Sequence, residues 1–202
     1  MKFSIKNVKV TVSYLSVALI SFALVSSAKG QRLVLICLLC TFFHECGHLF
    51  MICRFKGKPK RICINPFEIQ IIATNKEQKL KEEVLITSFG VVANLFLASL
   101  SFLFYLVFFA EIFKEICISS FMIGFLNLLP LETFDGGQLL RIFLLRFLSI
   151  RTVNVIMVII STVAIIPIAF LGIAVLFLSE FNFSILFIAV YLFYIFISKE
   201  LW

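Results

Sequence analysis

The sequence predicts an all-α polytopic membrane protein of about six transmembrane helices, with a short β-hairpin in the loop after the second. Three observations carry this. Of 202 residues, 62% are hydrophobic and 26 are Phe, and mean hydropathy is +1.13; a soluble domain of this size cannot bury so much apolar surface. The apolar residues fall into runs long enough to cross a bilayer, separated by short charged turns. The basic residues are asymmetric: with six spans, fifteen of the 18 Lys and Arg fall on the side of the two termini. Lys29, Arg32 and Lys114 face the other side. The positive-inside rule then places both termini and the long loop in the cytosol.

The same composition bounds function. A net charge of +7 would suggest nucleic acid in a soluble protein, but here it is accounted for by juxtamembrane residues suited to the anionic headgroups of a lipid bilayer. No nucleic-acid-binding motif is present. The chain has no Gly/Ser linker, low-complexity tract or internal repeat, and a single membrane-embedded domain is expected over 1–202. The six cysteines fit no zinc-ribbon or disulfide framework and read as small apolar filler.

Span 1 is expected from about Val10 to Ser27, after a basic start with Lys2, Lys6 and Lys9. Its length, and the apolar chain that follows, speak against a cleaved signal peptide. Span 2, about Leu33 to Cys53, follows the turn Lys29-Gly30-Gln31-Arg32. The polar segment Arg54 to Glu83 holds Ile62-Cys63-Ile64 and Ile69-Gln70-Ile71-Ile72 around Asn65-Pro66-Phe67-Glu68. That pattern suggests a hairpin over 62–72, either packed on helices or offering an edge to an unwound substrate strand. Span 3 is expected from about Val84 to Ala110 and span 4 from Ile116 to Leu129, where Pro130 halts the helix. Arg141, Arg146 and Arg151 lie on a short amphipathic stretch. Span 5 is expected from Val153 to Leu178, with Pro167 kinking it, and span 6 from Phe183 to Ile197.

Chemistry is concentrated in span 2. His44-Glu45-Cys46-Gly47-His48 reads H-E-x-x-H and contains both histidines of the chain. Positions i and i+4 share one helix face, so two imidazoles can grip one zinc ion. Glu45 can reach water beside the ion, whose pKa zinc lowers to about 7. The motif interrupts an apolar run, where a Glu and two His are costly without a partner or an ion. His44 lies about ten residues from the end of the span, roughly 15 Å below the surface at 1.5 Å per residue. This places the site inside the membrane but nearer the cytosolic face.

A third ligand is needed. Asp135 is the candidate: it follows Pro130, precedes Gly136 and Gly137, and reads as a carboxylate held on a flexible turn amid apolar neighbours. Two imidazoles and one carboxylate leave a fourth zinc position open for water. Asn94, in Gly90-x-x-x-Asn94 of span 3, wants an internal partner, either as structural glue or as a contact to substrate or oxyanion. Two other readings stay open: an integral zinc protease with Glu68, Glu77 or Glu82 as third ligand, and a non-enzymatic metal-binding membrane protein.

Together, His44-Glu45-x-x-His48 in span 2, Gly90-x-x-x-Asn94 in span 3 and Asn127-x-x-Pro130 followed by Asp135-Gly136-Gly137 resemble the site-2 protease family of intramembrane zinc metalloproteases. The six-span plan looks most like its bacterial subgroup that includes the sporulation sigma-factor processing protease. The resemblance implies zinc, one per chain, on His44, His48 and Asp135, catalysis by Glu45, and a site lined by Asn94 and Asn127. It implies regulated cleavage of a membrane-associated protein or peptide. Many members carry PDZ or CBS domains; neither is visible here, which leaves control to a separate regulatory protein. Val91 replaces a common Pro after the Gly, and Asp135 stands further from Pro130 than in the compact form of the motif.

Overall fold

The computed structural model describes residues 2–5, 8–12, 32–55, 59–65, 68–73 and 80–178, with a few helical positions between 20 and 28. Five helices carry most of this: α1 (Leu33–Phe55), α2 (Leu80–Phe108), α3 (Glu111–Asn127), α4 (Asp135–Leu145) and α5 (Ile150–Leu178). Four short strands, β1 (Lys2–Ile5), β2 (Val8–Val12), β3 (Pro59–Asn65) and β4 (Glu68–Ala73), form one sheet in sequential order. β1 and β2 pair antiparallel, β2 and β3 parallel, and β3 and β4 antiparallel with Ile62 opposite Ile71.

The strand at Val8–Val12 corrects the expectation that span 1 begins at Val10. Val8-Lys9-Val10-Thr11-Val12 alternates with period two and is rich in β-branched residues, a strand pattern rather than the start of a helix. The rest of span 1 falls largely, and span 6 wholly, outside the described residues. The chain divides into two compact units, Met1–Leu126 and Asn127–Trp202.

In the first unit, α1 and α2 are long and apolar enough to cross a bilayer, yet only 22% of each apolar window is buried. A core helix of a soluble protein would be mostly buried. Here Phe42, Phe50, Phe96, Leu103 and Val107 point outward instead, which suits hydrocarbon as the surrounding solvent. The inward faces carry small and polar residues: Cys40, His44 and Gly47 on α1, Gly90, Asn94, Ala98 and Ser101 on α2, and Ser119, Ser120 and Gly124 on α3. Small residues let helix backbones approach, the arrangement that replaces the hydrophobic drive inside a membrane. A Cβ on Gly47 would lie 2.5 Å from the Phe89 carbonyl oxygen, and one on Gly124 3.2 Å from Asn94 Cβ. Two part-buried hydroxyls bond back into their own helices, Thr41 to Cys37 O (3.0 Å) and Ser88 to Val84 O (2.7 Å).

In the second unit, α3 ends at Asn127 and the chain turns through Pro130 into α4. Leu131 is buried with Leu129, Phe134 and Ala164 around it. Arg141 ties the turn to α5: its guanidinium donates to Glu132 and, at 2.8 Å, to Asn154 Oδ1. The Glu132 N–H donates to buried Ser161 Oγ at 3.3 Å. Val153, Met157 and Ser161, spaced by four, form the buried stripe of α5.

Arg32 donates twice to Glu115, at 2.8 and 2.9 Å, joining the start of α1 to the charged first turns of α3, ahead of the apolar run. Its hydrogen bonds hold the Glu115 carboxyl below the usual carboxylate value. A depressed folded pKa contributes stability that is present above the ordinary value of 4.5 and is lost as pH falls through the lowered one. Acid titration of detergent-purified protein should therefore show a component of destabilisation below pH 4.5 that Glu115→Gln lacks.

Candidate metal centre

The centre is built where α1 and α2 meet. His44 and His48 lie one turn apart on α1, as the i, i+4 spacing requires. Their Nε2 atoms converge to 3.1 Å, with the ring planes at 82°. Two imidazole ligands of one tetrahedral ion stand roughly 3.3 Å apart, given metal–nitrogen bonds of about 2.05 Å. The pair therefore fits a divalent ion with little rearrangement.

Each ring is held by its other nitrogen. His48 Nδ1 donates to the Ile86 main-chain carbonyl of α2 at 2.8 Å, which leaves Nε2 as the nitrogen that can face a metal. His44 Nδ1 meets the Asn94 side-chain amide at 3.2 Å. Asn94 is fully buried, and Ser120 of α3 donates to its main-chain oxygen (3.0 Å) and lies 3.3 Å from Oδ1. Outer partners of this kind fix ring orientation at metal sites.

Gly90 makes the room. A Cβ there would fall 2.3 Å from His48 Nε2 and 2.7 Å from His44 Nε2. The space a side chain would fill is the space beside both donor atoms, so the Gly is a requirement of the site and not only of helix packing. Cys46 faces elsewhere, into an apolar groove with Phe50, Phe89 and Phe96. Glu45 is half-buried on α1 between the two histidines.

Asp135 and Asn127 belong to the second unit. Asp135 is the first residue of α4, after Phe134 in extended conformation (φ −107°, ψ 163°), and it is buried. The expectation of a flexible Asp-Gly-Gly turn is thus corrected. Gly136 and Gly137 are helical, and the reason for Gly is close approach: added Cβ atoms would lie 2.1 Å from Leu128 O and 1.9 Å from Leu131 O. Asn127 is half-buried at the end of α3. Ser120 was not marked out by the sequence; its only signal was a hydroxyl in an apolar span four residues before Gly124.

No family model matches the sequence, and no curated protein matches it. In structure the chain is similar to the site-2 protease from Methanocaldococcus jannaschii, with a TM-score of 0.70 at 14% identity, over 96% of this chain and 92% of that one. The two share a fold.

Gly90→Ala should abolish high-affinity divalent-metal binding while α1 and α2 remain helical by circular dichroism. Isothermal titration with Co²⁺ checks this; unchanged binding would show that the histidine pair is not where metal sits.

Proposed function

We propose that the protein is an intramembrane zinc metalloprotease, which hydrolyses a peptide bond in a membrane-associated or transmembrane substrate as a step in regulated proteolysis. The observation that carries this reading is the convergence of two imidazole Nε2 atoms at 3.1 Å on a helix long and apolar enough to cross a bilayer. The fold shared with a site-2 protease supports it.

His44, His48 and Asp135 are taken as the donor set for the ion on the motif likeness of the sequence, with the histidine pair supported by its geometry. Two neutral imidazoles and one carboxylate are the chemistry of an open catalytic zinc site rather than a closed structural one. The charges favour it as well: with Asp135 and Glu45 ionised, two negative charges balance one divalent cation, and a neutral cluster is far cheaper to bury than a lone charge. Glu82, a rival third ligand, stands in the first turn of α2. It is eight residues before Gly90, about 12 Å along the axis at 1.5 Å per residue.

Bound there, zinc supplies Lewis acidity that acidifies water and stabilises negative charge on a carbonyl oxygen. Glu45 accepts the proton of the attacking water and returns it to the leaving amine. The substrate must present an unwound segment, because a helix hides its carbonyls in hydrogen bonds. Asn94 meets His44 and is assigned to the site with it, Asn127 is assigned to it on the motif likeness alone, and the same likeness leaves control to a separate regulatory protein. The asymmetry of the basic residues supports a topology with both termini cytosolic and the site nearer the cytosolic face.

Detergent-purified protein loaded with zinc should cleave casein, an unstructured general substrate, and chelation should stop it. Glu45→Gln should retain zinc but lose at least about 100-fold in rate, the lower end of what a general base contributes. Near-normal cleavage by Glu45→Gln would overturn the mechanism. Asp135→Asn should lose both zinc and cleavage; zinc retained at full affinity would move the third ligand elsewhere.

A further inference from the structure

The turn from α4 into α5 combines two kinds of side chain that neither water nor hydrocarbon suits together. Phe143, Phe147 and Ile150 are 60%, 66% and 68% exposed. Arg146 and Arg151 are exposed in the same stretch. Water is a poor solvent for the first group, and hydrocarbon is costly for the second. The boundary between headgroups and acyl chains accommodates both, with rings on its apolar side and guanidinium groups on its polar side.

The charges of this stretch are unbalanced. From Gly136 to Ser179 the only charged residues are Arg141, Arg146 and Arg151. Arg141 is already engaged, by Glu132 and Asn154. Among the described residues, Arg146 and Arg151 form no ion pair. Arg146 ends α4, and its guanidinium lies over the Phe147 ring, 5.7 Å from the centroid. Phe147 in turn meets Phe143 at 5.3 Å, with the rings at 62°. A guanidinium stacked in this way keeps its N–H edge for phosphate oxygens. Arg151 stands in the first turn of α5, which holds no acidic residue, so its charge opposes the positive end of the helix dipole. Ser149 caps that helix itself, accepting from the Thr152 N–H at 3.3 Å. An anion here is therefore held by the arginines and not by the helix end.

We propose that the α4–α5 turn is a docking site for anionic phospholipid, with Arg146 and Arg151 on the charged headgroup and Phe143, Phe147 and Ile150 among the upper acyl carbons. Two opposite demands meet in one ligand: negative charge for the arginines and a hydrocarbon tail for the rings. The site lies within one compact unit, and it stands whether or not the chain is a protease. It gives these two arginines a selective role that a general excess of positive charge does not supply.

The test is native mass spectrometry of the full chain in non-ionic detergent, titrated with phosphatidylglycerol or with phosphatidylcholine. Both lipids carry a phosphate diester and two acyl chains, and only the first has a net charge. Wild type should prefer phosphatidylglycerol by roughly 10–30-fold, the effect expected of two interfacial arginines on one anion. The preference should shrink as salt rises. Arg146→Gln combined with Arg151→Gln should erase it while helix content by circular dichroism stays unchanged, since both side chains are exposed. Lys2→Gln combined with Lys9→Gln removes the same charge from the other end of the chain and should leave the preference intact. Excess inorganic phosphate should not displace the lipid, because it has no tail for Phe143 and Phe147. No preference in wild type, or an undiminished one in the double arginine variant, overturns the proposal. So does equal loss in both double variants, which would mean that net charge alone attracts the lipid. Displacement by inorganic phosphate overturns it as well, making the turn a phosphate site.

Discussion

The close approach of α1 to α2 is the contact on which the rest depends. It is permitted by two missing side chains, at Gly47 and Gly90, each of which would otherwise collide with the facing helix. Gly47 brings α1 against the Phe89 carbonyl, and Gly90 leaves the space beside both imidazoles. Without that approach His48 would not reach the Ile86 carbonyl, nor His44 the Asn94 amide. In hydrocarbon no water would replace those partners, and each polar group left unpaired costs several kcal/mol. Helix packing and site chemistry are therefore one constraint: the residues that let backbones touch also let donors converge.

A second consequence concerns where the polar groups lie. The outward faces of α1 and α2 are Phe- and Leu-rich, and the inward faces hold His44, His48 and Asn94, whose hydrogen bonds cross between helices. Ser120, Asn94, His44 and His48 form a continuous line from α3 through α2 to α1. A connected line of this kind is worth more than separate pairs, because each member orients the next. In the second unit Arg141, Glu132, Asn154 and Ser161 do the corresponding work, fixing the turn that leads into Asp135.

Much of this is written in the sequence at short range. The i, i+4 spacing of His44 and His48 is enough to place two imidazoles on one face, and the apolar runs locate α1, α2 and α3 to within a few residues. What sequence reading misses is set by tertiary partners. Val8–Val12 looks like the start of an apolar span until its period of two is weighed, and its strand is completed by pairing with β3, some fifty residues away. Gly136 and Gly137 read as residues that let backbone approach closely on a flexible turn; the closeness, to Leu128 and Leu131, is there, but inside a helix. Ser120 carries no local signal, since its value comes from the register of α3 against Asn94. Local pattern reveals elements and motif spacing, whereas outer-sphere partners depend on how helices are phased against one another.

The most direct test of the central claim is the zinc K-edge X-ray absorption spectrum of the metal-loaded protein. The account predicts about one zinc per chain in a four-coordinate shell of nitrogen and oxygen only, at about 2.0–2.2 Å, with the outer-shell scattering of two imidazoles. A sulfur shell near 2.3 Å would place the metal on cysteines instead. The absence of imidazole scattering would separate the metal from His44 and His48 altogether. Either result would contradict the account.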